Sequence, residues 1–353
     1  MKKAISCILS IMIFCLPILG RSPFRKKDPR KPEITIGWKN SKRVLKRSHW
    51  VYTEYPLFTT FNAQFFNEHH LPRDVIPSRA NDGTTIDCSD LDRDINGVVA
   101  EIKKRKKKYT QFTVIQDKNF NYNQQCGLLV LKFNKYPLVL KLFMETPKTF
   151  IDPYCKGFEN QFFFYMSGGI NRHIAGLTRI KNLELIREQI TEHPRWAENI
   201  ITPRKWYWLP QKPQYIEITG KNINDKKEIK TYIPGTYAII ADELDTKEDS
   251  INLSSQEKSE LIMQLCMDLH LFVDPHSDNF IIKHKENSID YTISIVDTEH
   301  FPSMVGLKEE PFFNNHIEWY IYLAAKFLQD AYMQTKYSRR QAQKKFNPCA
   351  IQW

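Results

Sequence analysis

Asp274, His276 and Asn279 form a D-x-H-x-x-N motif, and a further acidic residue, Asp297, follows in the same part of the chain. Between the motif and Asp297 lie two short apolar segments separated by polar residues, a pattern that predicts a β-hairpin. A hairpin brings its two ends together, so we expect these acceptor side chains to meet. Two carboxylates and an amide at one place can orient a hydroxyl nucleophile and bind Mg²⁺, which prefers oxygen ligands. The chemistry that these residues predict is phosphoryl transfer.

The motif and the hairpin together resemble the catalytic loop and metal-binding Asp of the protein-kinase-like superfamily. His276 makes the loop more similar to the aminoglycoside and choline phosphotransferase branch, whose loop reads H-G-D-x-H-x-x-N. The resemblance implies ATP and Mg²⁺ as cofactors, with Asp274 as catalytic base and His276 supporting the loop. It also implies that Asn279 is a metal ligand and that Asp297 is the principal metal ligand.

The sequence departs from that family pattern at three places. Phe272 stands where the branch has His, and Val273 stands where it has Gly or Arg. The sequence Asp297-Thr298-Glu299 replaces Asp-Phe-Gly. The simpler interpretation of DPHSDN is a surface turn rich in Asp and Asn.

An earlier hairpin contains a lysine in an apolar strand. The sequences LLVLKF and LVLKLF flank a turn at 134–137, and Lys141 interrupts the second strand. A buried lysine needs an anionic partner, because an unpaired buried charge is expensive. The resemblance implies that Lys141 contacts the nucleotide phosphates and pairs with Glu159 on the next helix. The alternatives are an edge-strand lysine in water and an exposed helical glutamate.

Two further segments would complete a nucleotide site in this family. The pattern at 237–244 predicts a buried strand that becomes polar at Asp242 and Glu243. The resemblance implies that these two residues belong to a hinge that binds adenine through its main chain. The loop before the first hairpin, DKNFNYNQQCG, has Gly127 as its one glycine. This loop does not show the glycine-rich phosphate cradle found in many kinase-like folds.

Helical patterns complete the predicted organisation. Helices are predicted at 89–107, at 180–193, after a capping box formed by Ser254 and Glu257, and at 316–333. We therefore predict an α+β fold, bilobal and kinase-like, with a small C-terminal lobe and an N-terminal extension. The expected units are a signal peptide (1–20), a basic, irregular extension (21–115), an N-lobe (116–246) and a C-lobe (247–353).

The N-terminus and the charge distribution bear on location. Lys2 and Lys3 precede an uncharged apolar run, which predicts a secretory signal peptide and export, with an uncleaved anchor as the alternative. The 353 residues carry a formal net charge of +11, much of it in the clusters 25–47 and 103–108. Such runs are typical of a solvated surface, and they also suit anionic lipid, nucleic acid or a host partner. The scattered cysteines indicate neither a zinc ribbon nor a disulfide framework.

Two other classes of function remain open from the sequence. A metal-dependent hydrolase would use a group of metal-capable side chains: His270, Asp274, His276, Asp278, Asp297, Glu299 and His300. A non-catalytic kinase fold would bind nucleotide or a partner without turnover. The expected partners of an active enzyme are a nucleotide and an unknown hydroxyl-bearing acceptor. Because an exported kinase needs a phosphoryl donor, it would have to act where ATP is present, such as in a host cell.

Overall fold

The computed structural model describes residues 33–48, 62–79, 83–151, 170–221, 228–244, 254–271, 273–284 and 291–300. This part of the chain is α+β. The predicted signal peptide, Glu159 and the helix predicted at 316–333 lie outside the described residues. None of the described helices combines the length and apolar character needed to cross a membrane.

The described helices are numbered in chain order. They are α1 (Ala63–Glu68), α2 (Cys88–Lys103), α3 (Pro147–Ile151), α4 (Ile170–Glu192), α5 (Pro194–Ala197) and α6 (Ser255–Asp268), followed by a 3₁₀ turn (Ser277–Asn279).

The described strands are numbered in the same way. They are β1 (Glu33–Trp38), β2 (Val44–Ser48), β3 (Val75–Pro77), β4 (Thr85–Asp87), β5 (Phe112–Gln116), β6 (Phe120–Asn121), β7 (Cys126–Phe133), β8 (Leu138–Met144), β9 (Ile200–Ile201), β10 (Lys205–Trp208), β11 (Tyr215–Lys221), β12 (Glu228–Pro234), β13 (Thr236–Asp242), β14 (Phe280–His284) and β15 (Tyr291–Ile295).

An antiparallel sheet with the order β10-β13-β8-β7-β5, with β6 beside β7, forms the main platform. The predicted hairpin of β7 and β8 is confirmed. Successive side chains on a strand point to opposite faces, so Leu140 and Leu142 of β8 enter a hydrophobic core while Val139 and Lys141 line a cavity. The strand alternation thus places the lysine on the cavity side.

Helix α2 covers the other face of this sheet. Asp87 caps its N-terminus by accepting from the backbone N–H of Ser89, and Leu91, Ile95 and Val98 join the core of the sheet. The helix prediction at 89–107 is confirmed in kind, although the helix ends at Lys103. Part of the predicted extension therefore packs on the sheet, while the boundary at residue 115 stays a prediction.

A second antiparallel sheet, with the order β12-β11-β1-β2, contains strands that the sequence interpretation missed. Ile36 of β1 lies opposite Ile218 of β11, and both are buried. The segment 21–115 was interpreted as irregular because it is basic and interrupted by prolines, yet β1 pairs both with the neighbouring β2 and with the distant β11. Alternating apolar residues in EITIGW were the available signal.

A smaller core lies under the hairpin of β14 and β15. The capping box of Ser254 and Glu257 starts α6 as predicted, and buried residues of α6 pack with Phe280 and Ile293 of the hairpin. Strand β15 also pairs in parallel with β9. The hairpin prediction is confirmed, and the backbone N–H of Val296 donates to the carbonyl of Asn279 at 2.8 Å. This bond ties the two ends of the hairpin together.

Helix α4 connects the main sheet with the smaller core. Its later residues Ile186 and Ile190 belong to the smaller core. Earlier in the helix, a Cβ on Gly176 would lie 2.1 Å from the hydroxyl of Tyr237 and 2.7 Å from the ring of Phe143. The helix therefore approaches the sheet closely, and this contact determines which α4 side chains reach the cavity.

Candidate functional site

A cavity of about 610 Å³ lies between the main sheet and the hairpin. This volume is in the usual range of sites for small molecules. The sheet contributes Leu128, Val130, Val139 and Lys141. The 274–279 loop contributes Asp274, His276, Asp278 and Asn279, and the chain after β15 contributes Val296, Asp297 and Glu299. Helix α4 contributes Arg179. The sheet wall is thus mostly apolar apart from Lys141 and Asp242, and the opposite wall is mostly polar and charged.

The 274–279 loop forms a compact turn on the cavity rim. Asp274 Oδ1 accepts from the backbone N–H of His276 at 3.2 Å, and Asn279 Nδ2 donates to the carbonyl of Asp274 at 3.0 Å. His276 Nδ1 accepts from the N–H of Asp278 at 3.2 Å, which places the proton of a neutral ring on Nε2. The Asn279 amide nitrogen is thus used inside the loop, and its amide oxygen is an acceptor of the kind that Mg²⁺ binds.

Asp297 is bound by two cations from different elements. Lys141 Nζ donates to Asp297 Oδ2 at 3.1 Å. Arg179 Nη2 donates to the same oxygen at 3.1 Å, and Arg179 Nε lies 3.0 Å from Oδ1. Burial raises the pKa of Asp297, but Arg179 and Lys141 outweigh burial and hold this pKa well below its usual range. The carboxylate is therefore ionised at neutral pH.

Glu299 shares the same arginine. Arg179 Nη2 donates to Glu299 Oε2 at 2.5 Å. Burial raises the pKa of Glu299; Arg179 lowers it and Asp297 raises it, and the net direction is upward. For Lys141, burial lowers the pKa and Arg179 acts in the same direction, whereas the pairing with Asp297 raises it. Charge pairing and burial thus oppose each other throughout this group.

The chain after β15 is joined to α4 by a set of bonds that we call the α4 seam, comprising Thr178, Arg179 and Asn182 of the helix and residues 297–300. Thr298 Oγ1 donates to the carbonyl of Arg179 at 2.7 Å, and Asn182 Nδ2 donates to the carbonyl of Thr298 at 3.1 Å. The N–H of His300 donates to Thr178 Oγ1 at 3.0 Å. The seam holds Asp297 and Arg179 in one orientation.

Lys205 of β10 adds a third buried cation next to the seam. Its Nζ donates to Thr298 Oγ1 at 2.7 Å, and burial followed by the neighbouring Lys141 lowers its pKa well below the usual range. The sequence interpretation missed Arg179 and Lys205. A signal for Arg179 was available, because it shares the helix face of the buried Gly176, Ile180 and Leu183.

The predicted hinge residues have different positions. Asp242 lines the cavity, but Arg204 binds its carboxylate with two bonds of 3.0 and 2.8 Å. The backbone N–H of Asp242 donates to the carbonyl of Arg204, and that of Glu243 donates to the carbonyl of Pro137. Glu243 pairs with Lys132 instead of lining the cavity. The main-chain donors predicted for adenine are thus already used at these two residues.

The structure brings together most of the predicted site. Lys141, Asp242, Asp274, His276, Asn279 and Asp297 all line the one cavity. Lys141 pairs with Asp297, and its predicted partner Glu159 is outside the described residues. Of the histidines considered for a hydrolase, His270 does not line the cavity and His300 is buried against α4. In the described part of the chain, no group of three His, Cys, Asp or Glu side chains is arranged to hold a metal ion.

Comparisons with family models, with curated proteins and with solved structures gave no match.

Proposed function

We propose that this chain is a divergent, bilobal kinase-like phosphotransferase that moves the terminal phosphoryl group of ATP to a hydroxyl acceptor. The observation that carries the proposal is the shared cavity of Lys141, Asp274, Asn279 and Asp297. These residues come from two hairpins far apart in the chain, and the resemblance implies a role in phosphoryl transfer for each of them. Export, through the N-terminal apolar segment, is part of the same proposal.

Each residue has a distinct role in the proposed reaction. The oxygen of the acceptor hydroxyl bonds to the terminal phosphorus of ATP, and Asp274 accepts the proton that this hydroxyl loses. The bond from that phosphorus to the bridging oxygen breaks, and ADP leaves with the electron pair. Lys141 binds phosphate oxygens, and the loop bonds of His276 and Asn279 hold Asp274 in place.

The oxygens of Asp297 and Asn279 suit Mg²⁺. Asp297 is ionised, and the hydrogen bond from Asn279 to the carbonyl of Asp274 uses the amide nitrogen and not the amide oxygen. A bound Mg²⁺ would neutralise charge on the transferring phosphate. In this proposal Asp297 exchanges part of its contact with Lys141 and Arg179 for the metal when the nucleotide binds.

A non-catalytic kinase fold is the second candidate, and a specific observation favours it. Both oxygens of Asp297 are already contacted by protein cations, so nucleotide binding without a metal is the expected behaviour of such a module. The two candidates predict different metal dependence and different turnover.

The test is nucleotide binding and turnover by the full chain. Thermal-shift measurements with ATP, with Mg²⁺ and with both should show stabilisation that needs both ligands, and ADP should form when an acceptor is present. Stabilisation by ATP alone without turnover would favour the binding module. Loss of stability on chelation with no effect of nucleotide would favour the hydrolase and reject the proposal.

A further inference from the structure

We propose that Arg179 of α4 is a phosphate-binding residue and forms, with Lys141, a two-cation anion subsite on the floor of the cavity. The inference rests on the proposed function, because it names the group that contacts the donor phosphates. It differs from the sequence expectation, in which the helix beside the lysine supplies the acidic residue Glu159. In the described part of α4, the residue at the cavity is basic.

The loop before β7 is the segment that would be expected to hold phosphate, and several of its backbone amides are bonded within the loop. The N–H of Phe120 donates to the carbonyl of Asp117 at 2.8 Å. The N–H groups of Asn123 and Gln124 both donate to Asn121 Oδ1, at 3.0 and 3.1 Å. Backbone amides that are bonded within the loop cannot also surround a ligand. These three amides are thus used within the loop, and we propose cavity-lining side chains as the anion donors.

Arg179 is built for that task. Its side chain is 4 % exposed, it lines the cavity, and its guanidinium carbon lies 5.6 Å from the centre of the Phe143 ring. Its Nη1 has no hydrogen-bond partner among the described residues. An arginine has five N–H donors in a rigid fork that matches phosphate oxygens. The donor capacity left by Asp297 and Glu299 is what a phosphate group would use.

Lys141 and Arg179 already meet at an anionic oxygen in the cavity. Both side chains donate to Asp297 Oδ2, at 3.1 Å each, and all three residues line the cavity. The third cation of the group, Lys205, donates to Thr298 Oγ1 and does not line the cavity. In this proposal a phosphate oxygen replaces part of the contact that Asp297 makes with Lys141 and Arg179.

The helix fixes the position of the arginine before a ligand arrives. The carbonyl of Arg179 accepts from Thr298 Oγ1, and Asn182, on the next turn, donates to the carbonyl of Thr298. A donor held in place loses little freedom on binding, so more of its interaction with phosphate contributes to affinity.

Binding measurements with a series of phosphates test the inference. Calorimetry on the full chain would compare AMP, ADP, ATP and inorganic tripolyphosphate, each with Mg²⁺. Two variants are informative: Arg179→Lys keeps the charge, and Arg179→Gln combined with Glu299→Gln removes a buried pair together, so that no carboxylate is left alone. Lys181→Gln is the matched control, because it removes one charge from the same helix at a side chain that contacts Phe65 instead of the cavity.

We expect both Arg179 variants to lose ATP and tripolyphosphate affinity by ~10–100-fold, the range for a charge-assisted hydrogen bond, with AMP affinity unchanged. The control should match the wild type. Unchanged ATP and tripolyphosphate affinity in folded variants would overturn the inference and leave the proposed function standing. Binding of tripolyphosphate but not ATP by the wild type, lost in the variants, would support the subsite and reject the nucleotide function. Binding of neither would overturn both.

Discussion

The 274–279 loop and the α4 seam contribute to the same cavity but are built in different ways. The loop is held by short-range bonds, such as those from Asn279 to Asp274, and the side chain of Asp278 is 86 % exposed. The seam joins residues more than a hundred positions apart, and Thr298 within it is fully buried. A substitution in the exposed loop should therefore cost the fold little stability. A substitution in the buried α4 seam should lower stability, because it removes bonds between distant parts of the chain.

The largest effect should come from the loop and should appear in the rate. Asp274→Asn removes the proposed proton acceptor but keeps the shape of the side chain. We expect phosphoryl transfer to fall ~10²–10⁴-fold, the range for loss of general base catalysis. ATP affinity and thermal stability should stay near wild type, because Asp274 does not bind the nucleotide in this proposal. Single-turnover kinetics with parallel thermal unfolding would show this. A large loss of stability in this variant would break the distinction between loop and seam.

The next effect should come from the seam and should appear in stability. Asp297→Asn leaves the buried Arg179 and Lys141 without their shared carboxylate. Breaking a buried ion pair costs about 3–5 kcal/mol, so we expect a loss of free energy of unfolding of that order, together with loss of Mg²⁺-dependent nucleotide affinity. Urea denaturation measures the first and calorimetry the second. Asp278→Asn is the matched control, and its exposed side chain should change stability by no more than about 0.5 kcal/mol. Equal stability of the two variants would contradict the structural role of the seam.

A buried carboxyl group outside the α4 seam, Glu145, can be compared with the paired Asp297 inside the seam. Glu145 follows β8 and is 3 % exposed, and neither of its carboxylate oxygens has a hydrogen-bond partner among the described residues. Burial raises its pKa from 4.5 to about 8, and the hydroxyl of the nearby Thr149 opposes this change only in part. Between these pH values the unfolded chain releases the proton that the folded chain keeps, so the free energy of unfolding falls as pH rises.

Glu145→Gln should remove the fall in the free energy of unfolding that ionisation of Glu145 causes as pH rises. We expect the variant to be more stable than the wild type at pH 8, by on the order of 3 kcal/mol, and equally stable near pH 4. Urea denaturation at several pH values would measure the difference. The assignment of Glu145 as a neutral buried acid would be contradicted by one result. In that result the stability of the wild type rises from pH 5 to pH 8, and the variant shows the same dependence of stability on pH.

The contrast between the two regions also explains what the sequence could predict. The loop, the hairpin of β14 and β15, the capping box of α6 and the hairpin around Lys141 depend on neighbouring residues, and local patterns predicted them. The partners of Lys141 and Thr298 depend on how separate elements pack. The strands β1 and β11 were missed although each also pairs with its neighbour in the chain, β2 and β12; the pairing of β1 with β11 itself depends on packing between distant segments. Arg179 was overlooked because it lies just before the helix predicted at 180–193 and a single arginine on a helix is usually solvated, although its place on the apolar face of Ile180 and Leu183 was a signal.

The smallest effect should come from the place where α4 meets the sheet. Gly176 is helical, and in an exposed helix alanine is favoured over glycine by about 1 kcal/mol. Here a Cβ would lie 2.1 Å from the Tyr237 hydroxyl, which is hydrogen-bonded to the carbonyl of His173. The Phe143 ring, 2.7 Å from the same Cβ and stacked on Tyr237, blocks a simple shift. Overpacking costs about 1–3 kcal/mol, which equals or exceeds the gain in helix propensity.

We therefore expect Gly176→Ala to lower the free energy of unfolding by up to about 2 kcal/mol, the difference between these two opposing effects. Gly97→Ala in α2 is the matched control, because a Cβ added there would meet no packed neighbour within 4 Å and propensity alone should act. That variant should be stabilised by up to ~1 kcal/mol. Urea denaturation of both variants gives the sign directly. If Gly176→Ala were stabilised as much as Gly97→Ala, α4 would not be seated against Tyr237, and the orientation of Arg179 toward Asp297 would lose its structural basis.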